Sequence, residues 1–126
     1  MKKILIVISR YNNTEPLMNS TIKVIKKKRI KWSIIKVNGA FEIPVVIARN
    51  LKKFDAFVAL GIILKGKTPN FDFISQAITN GLMNLSISSK KPIGNGILTC
   101  LSRKQAEKRK LKGAEAIKAV LDVLSH

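Results

Sequence analysis

Cysteine, histidine and long apolar runs are all scarce in this chain of 126 residues. The single cysteine, Cys100, cannot form an internal disulfide and fits a reducing compartment, so we expect a cytoplasmic protein. The apolar run over residues 4–8 is too short for the core of a secretory signal, and we interpret it as a buried strand. The run over residues 57–64 is too short to cross a bilayer, so we expect no membrane partner.

Acidic residues are also few, with 7 Asp and Glu against 24 Lys and Arg, which gives a formal net charge of +17. Such a charge favours nucleic acids or other polyanions as partners. Aromatic residues make up only 6% of the chain and no nucleic-acid-binding motif is present, so we do not expect nucleic acid to be the partner. Lysine, isoleucine and asparagine are overused together, as in drift toward A/T-rich codons. Functional charge and compositional drift both stay open as explanations.

The hydrophobic pattern predicts an α/β fold in one domain, residues 1–126. Apolar strand-like runs alternate with helical periodicity, which indicates parallel strands joined by right-handed helical crossovers. Thr14 is a predicted N-cap, with Pro16 in the first turn that follows, and Ser102 and Gln105 form a predicted capping box. The predicted strands cover residues 4–9, 32–37, 56–64 and 93–98, and the predicted helices include residues 15–28 and 44–51.

Three polar or glycine-containing turns follow the first three predicted strands, at residues 9–12, 39–42 and 65–70. Parallel sheets bind ligands at the carboxyl ends of their strands, so these turns predict a site. Gly39 would let the backbone turn tightly and approach a ligand, and Glu42 can accept hydrogen bonds from hydroxyl groups. The turn around Gly66 suits an anion, although a plain glycine turn fits equally well and the Walker spacing is absent.

Seven stretches in these turns and beyond them together form a recognisable pattern. They are Ser9-Arg10-Tyr11-Asn12, Gly39-Ala40-Phe41-Glu42-Ile43-Pro44, Phe54-Asp55-Ala56, Ala59-Leu60-Gly61, Gly66-Lys67-Thr68-Pro69-Asn70-Phe71-Asp72-Phe73, Gly96-Ile97-Leu98-Thr99 and Lys112-Gly113-Ala114-Glu115-Ala116. With these stretches in this order, the chain resembles the 6,7-dimethyl-8-ribityllumazine synthase family from the first strand to the last helix. The resemblance implies a flavodoxin-like three-layer α/β/α sandwich around a four-stranded parallel sheet.

The resemblance also implies a reaction and an assembly. The family condenses 5-amino-6-(D-ribitylamino)uracil with 3,4-dihydroxy-2-butanone 4-phosphate in riboflavin biosynthesis, and it uses no metal and no redox cofactor. Its sites lie between neighbouring subunits of a homo-pentamer, and some members assemble twelve pentamers into a shell. Shell-forming members carry an N-terminal extension, whereas the first strand here starts almost at Met1, so we expect a pentamer rather than a sixty-subunit shell.

The matching positions imply roles for individual residues. Tyr11 would stack on the pyrimidine with help from Asn12, and Ile62 and Ile63 would border the ring. The segment Ala40-Phe41-Glu42 would hold the ribityl chain.

Other matching positions imply binding of the phosphate and contacts across a subunit boundary. The turn of Gly66, Lys67 and Thr68 would bind the phosphate, and Arg109 would pair with it through its planar fork. Lys112 would reach the pyrimidine from the neighbouring subunit. Where the family has an apolar or aromatic residue before Gly-Ile-Leu-Thr, this chain has Asn95, so that contact becomes polar.

Two further departures affect the expected activity. Asn70 stands where the family usually has a histidine that moves protons, and asparagine does not titrate near neutral pH. The loop between Arg109 and Lys112 is several residues shorter than usual, which can displace Arg109. We expect a genuine but slow synthase. The alternatives are a non-catalytic remnant that binds a pyrimidine or flavin-like ligand, and a basic nucleic-acid-binding or scaffold protein on the same fold.

Overall fold

The computed structural model describes residues 2–66 and 69–126 of the chain. Within these residues the strands are β1 (Lys3–Ser9), β2 (Lys31–Val37), β3 (Ala56–Leu64) and β4 (Ile93–Cys100). The α-helices are α1 (Glu15–Ile25), α2 (Ile43–Arg49), α3 (Asn70–Ser89), α4 (Arg103–Lys108) and α5 (Lys112–Leu124), and a short 3₁₀ turn covers Ala40–Glu42.

All four strands are parallel and lie in the order β2-β1-β3-β4. The register places Ile4 beside Trp32 of β2 and beside Ala56 of β3, so β1 and β3 are the inner strands. Helices α1 and α5 cover one face of the sheet, and α2 and α3 cover the other. The predicted three-layer α/β/α sandwich with a four-stranded parallel, flavodoxin-like sheet is therefore confirmed.

Inner strands that are covered on both faces explain the unbroken apolar runs of the sequence. Successive side chains of β1 alternate between two cores, with Ile4, Ile6 and Ile8 under α1 and α5, and Leu5 and Val7 under α2 and α3. A third, smaller core lies near the carboxyl ends of the strands beneath α4. Its buried members are Leu17, Ile62, Leu98, Cys100 and Ala106.

The helix starts agree only in part with the expected capping. Pro16 lies in the first turn of α1 and Thr14 occupies the predicted N-cap position, but its buried hydroxyl makes no capping bond and donates to the Ser9 carbonyl instead. Ser102 does cap α4, accepting from the Gln105 N–H at 3.2 Å, while the Gln105 side chain accepts from the Leu101 N–H at 2.7 Å. The capping box is thus present with its return bond shifted by one residue.

The length and apolar character of the helices bear on whether any of them could cross a membrane. Among residues 2–66 and 69–126, no helix combines the length and the apolar character needed to span a bilayer.

Candidate functional site

The turns that follow β1 and β2 are joined by backbone hydrogen bonds at the carboxyl edge of the sheet. The N–H of Arg10 donates to the Val37 carbonyl at 2.8 Å, and the N–H of Tyr11 donates to the Asn38 carbonyl at 3.3 Å. The side-chain amide of Asn12 donates to the Ile62 carbonyl of β3 at 3.0 Å. Asn12 has a φ of 69°, a left-handed conformation that asparagine tolerates well. One turn is thereby fixed to both neighbouring strands.

Tyr11 lies against Gly39 with most of its ring in solvent. Tyr11 is 68% exposed and is therefore not part of the hydrophobic core. A Cβ on Gly39 would lie 3.5 Å from Tyr11 Cδ2 and 3.2 Å from Glu42 Oε1. The Gly39 carbonyl accepts from the Glu42 N–H at 3.2 Å and so closes the expected tight turn, but the φ of −130° at Gly39 is an extended conformation that any residue adopts, so the turn itself does not require glycine. The glycine instead leaves room for Glu42 beside the tyrosine ring.

Glu42 is held by the backbone of the same turn. Its Oε1 accepts from the Gly39 N–H at 2.9 Å, and the residue is exposed. A carboxylate offers about four acceptor positions, so this bond leaves it able to accept from ligand hydroxyls. Ala40 is buried against the sheet, whereas Phe41 is exposed. We call Tyr11, Asn12 and Ala40–Glu42 the edge group.

Ser9 and Gly61 lie beneath the edge group, and the sequence predicted no individual role for either of them. The Ser9 hydroxyl is buried and, among the residues that the structure describes, is the one buried side-chain polar atom without a hydrogen-bond partner. A Cβ on Gly61 would lie 3.0 Å from Ser9 Oγ and 3.4 Å from Ala40 Cβ. The edge group therefore rests directly on the sheet at a position where any side chain larger than glycine would crowd Ser9 and Ala40.

The end of β3 borders the edge group. Ile62 is 6% exposed and belongs to the core under α4, whereas Ile63 is half-buried and packs toward α2 and α3. Gly66 is exposed, and a Cβ there would meet nothing within 4 Å, so packing does not require glycine at this position. Asn70 is the exposed first residue of α3. The predicted phosphate-binding residues Lys67 and Thr68 lie outside the described residues.

Asn95, Arg109 and Lys112, which we call the distal group, lie elsewhere on the chain. Asn95 is exposed on the outer strand β4, and its Oδ1 accepts from the Ile97 N–H at 3.0 Å. Arg109 and Lys112 line a groove together with Thr99, and this groove includes no member of the edge group. Lys112 Nζ lies 3.9 Å from the exposed carboxylate of Glu115. One chain thus presents the predicted site residues as two separate groups.

Ligands for a metal ion do not converge in the described part of the chain. Residues 2–66 and 69–126 contain no group of three or more His, Cys, Asp or Glu side chains placed to hold an ion.

Known proteins resemble the chain over nearly its whole length. The family model for 6,7-dimethyl-8-ribityllumazine synthase matches residues 1–126. Proteins of that name from Corynebacterium kroppenstedtii and Thermobifida fusca are 36% and 35% identical. The first alignment covers 94% of this chain and 80% of the relative, and the second covers 93% and 75%. A relative of the same name from Buchnera aphidicola is 39% identical over 98% of this chain and 86% of its own length. The chain therefore belongs to the 6,7-dimethyl-8-ribityllumazine synthase family.

Proposed function

We propose that this chain is a transferase of riboflavin biosynthesis that condenses 5-amino-6-(D-ribitylamino)uracil with 3,4-dihydroxy-2-butanone 4-phosphate to give 6,7-dimethyl-8-ribityllumazine. The observation that supports it best is the contact between Tyr11, Gly39 and Glu42 at the carboxyl edge of the sheet. An exposed aromatic ring beside a fixed carboxylate suits a flat heterocycle that carries a polyhydroxyl chain.

The pyrimidine half of the reaction is assigned to the edge group. Tyr11 offers a stacking face, because its ring is mostly in solvent. Only one acceptor position of the Glu42 carboxylate is used by the Gly39 N–H, so its other positions accept hydrogen bonds from the ribityl hydroxyls. Asn12 bonds the turn that carries Tyr11 to the Ile62 carbonyl of β3. Ile63, near the end of β3, would border the pyrimidine ring.

The phosphate half is assigned to the start of α3 and to Arg109. The 20-residue helix α3 begins at Asn70, and the positive end of its dipole favours an anion there. The proposed phosphate-binding residues Gly66, Lys67 and Thr68 precede this helix in the sequence. Gly66 has no steric need to be glycine, which is consistent with selection for close approach of a ligand to its backbone. A guanidinium pairs well with phosphate in a bidentate geometry.

The chemistry relies mainly on bringing the two substrates together. The amine of the pyrimidine adds to the ketone and a Schiff base forms with loss of water; inorganic phosphate leaves, and ring closure releases a second water. Holding two reactants in register is worth about 7–11 kcal/mol. General acid–base assistance is worth about 10²–10⁴-fold, or roughly 3–5 kcal/mol. The first term is larger, so the reaction proceeds without a histidine, with water or departing phosphate carrying protons.

The test of this function is a two-substrate assay on the purified native protein. We expect fluorescent lumazine to form faster than in the enzyme-free mixture, with release of one phosphate per product. Heat-denatured protein and a mixture without the pyrimidine are the controls. A rate no greater than the spontaneous one, with assembly intact, would reject catalysis. If the protein still bound the lumazine in that case, the hypothesis of a non-catalytic remnant would replace that of a synthase. The asparagine at position 70 favours this alternative.

The two separate groups lead us to include self-association in the proposal. A complete site needs the edge group of one subunit and the distal group of its neighbour. Several large apolar side chains on the 3₁₀ turn, α2 and α3 are more than half exposed, and contact with another subunit would cover them. They are Phe41, Val45, Phe73, Met83 and Ile87. A pentamer is favoured over a sixty-subunit shell.

Particle mass tests the assembly. We expect light scattering to give about five times the chain mass of 14.0 kDa at physiological salt. Because each copy carries a net charge of +17, we also expect dissociation as the ionic strength falls and repulsion is less screened. A mass near that of one chain at every salt concentration would contradict the shared site.

A further inference from the structure

We infer that Ser20 is a positioning residue that anchors the turn carrying Arg109 and Lys112 to α1, and so sets how the phosphorylated substrate is bound; this inference rests on the proposed function. Ser20 is 9% exposed and lies on α1, some 90 residues away in sequence from the turn. The Ser20 hydroxyl lies 2.8 Å from the Lys110 carbonyl oxygen and 3.0 Å from the Leu17 carbonyl oxygen of its own helix, and it donates its single proton to one of them at a time, while its oxygen accepts from the Ala114 N–H at 3.1 Å.

The bond to Ala114 supplies a cap that α5 lacks in its own sequence. Helix α5 has Leu111 at the N-cap position, and the leucine side chain has no oxygen that could accept from the N–H groups of the first turn. A local cap would accept from the second or third helical residue, and Ala114 is the third. Ser20 therefore takes the place of the N-cap side chain from a different helix, and α5 begins where α1 holds it.

Gly113 brings the two helices close enough for these bonds. A Cβ on Gly113 would overlap the carbonyl oxygen of Leu17 and would lie 2.5 Å from Thr21 Oγ1 and 2.6 Å from Ser20 Oγ. The residue is buried, so the start of α5 is in direct contact with the backbone of α1. The hydroxyl of Ser20 thus lies within bonding distance of both sides of the Leu111–Gly113 segment.

The anchored atoms are adjacent to the distal group. Lys110 follows Arg109 directly, and the N–H of Lys112 donates to the Arg109 carbonyl at 2.9 Å. Both side chains line the same groove. A displacement of about 1 Å in a binding group can reduce a rate by about 10²-fold. Freeing the Lys110 carbonyl from α1 is therefore expected to weaken binding through the distal group without touching the edge group.

The experiment compares three variants with the native protein in the two-substrate assay. We expect Ser20→Ala to raise the KM for the phosphorylated ketone about tenfold. Thr21→Val is the matched control, because the Thr21 hydroxyl bonds only to Leu17 within α1; its KM should stay within about twofold of the native value. Ser20→Ala combined with Leu111→Ser offers a local capping hydroxyl at an exposed position, where residue 111 can leave its helical φ of −70° and ψ of −6° to use it, but does not restore the bond to Lys110. That double variant should regain thermal stability while its KM stays high.

Two results would overturn the inference. One is a KM for Ser20→Ala within twofold of the native value. The other is a double variant that recovers both stability and KM, which would make Ser20 only a helix cap. Hydrogen exchange at the Ala114 amide separates this inference from the proposed function, because it needs no turnover. Faster exchange in Ser20→Ala than in Thr21→Val is expected even if the native protein makes no lumazine, and equal exchange would refute the anchor.

Discussion

Asn70→His is expected to raise kcat by up to about 10²-fold, the lower end of what a positioned general acid or base provides. Asn70 is exposed at the first position of α3, so an imidazole fits there without disturbing the core. Histidine titrates near neutral pH, whereas the asparagine amide does not. The measurement is kcat from lumazine fluorescence with both substrates saturating, compared between the native protein and the variant.

The pH profile gives this prediction a second readout. An isolated histidine has a pKa near ~6.5, and the positive end of a helix dipole disfavours imidazolium, so a new inflection should appear at or below that value. Asn70→Gln is the matched control, since it keeps an amide and adds no titrating group. If the histidine and glutamine variants had the same kcat and the same pH profile, the site would have been rebuilt around asparagine.

Gly113→Ala is expected to lower the free energy of unfolding by about 2 kcal/mol. The new Cβ would overlap the Leu17 carbonyl oxygen, which is backbone and cannot swing aside as a side chain can. Overpacking of a buried site costs about 1–3 kcal/mol, and a clash with backbone places this substitution at the upper end. The gain of roughly 1 kcal/mol in helix propensity from glycine to alanine offsets only part of that cost. Thermal denaturation at matched protein concentration would measure the loss, because self-association also shifts the transition.

Gly81→Ala provides the control for that experiment. Gly81 also lies inside a helix, but its Cβ would be 3.7 Å from Pro44 Cβ and 3.8 Å from Pro44 Cγ, which is ordinary contact. This variant should gain about 0.5–1 kcal/mol from propensity alone. Equal losses in both variants would show that general sensitivity of the helices, and not the contact between α1 and α5, controls the effect.

The sequence predicted those features that depend on periodicity or on a general rule of topology. Strands β1 and β3 were predictable because burial on both faces leaves an unbroken apolar run. The proximity of Tyr11 to Glu42 followed from the rule that parallel strands end at the same edge of a sheet.

Features that depend on distant partners were not predictable in this way. Thr14 has the side chain of an N-cap, but its hydroxyl donates to the carbonyl of Ser9. Ser20 and Gly113 act through a contact between α1 and α5, and no local sequence pattern predicts which helices pack together. The positions of the distal group similarly depend on how α4 and α5 pack at the outer strand.

The placement of β1 inside the sheet affects how the chain is made. Its second neighbour, β3, is synthesised much later. Lys3 at the start of β1 bonds through its N–H to the carboxylate of Asp55, which directly precedes β3 and lies 52 residues further along the chain. Ribosomes add about 5–20 residues per second, so the nascent β1 waits roughly 3–10 s for that neighbour. Through this interval one edge of an apolar strand stays open to other chains. Slower translation would lengthen the time for which that strand edge is unpaired.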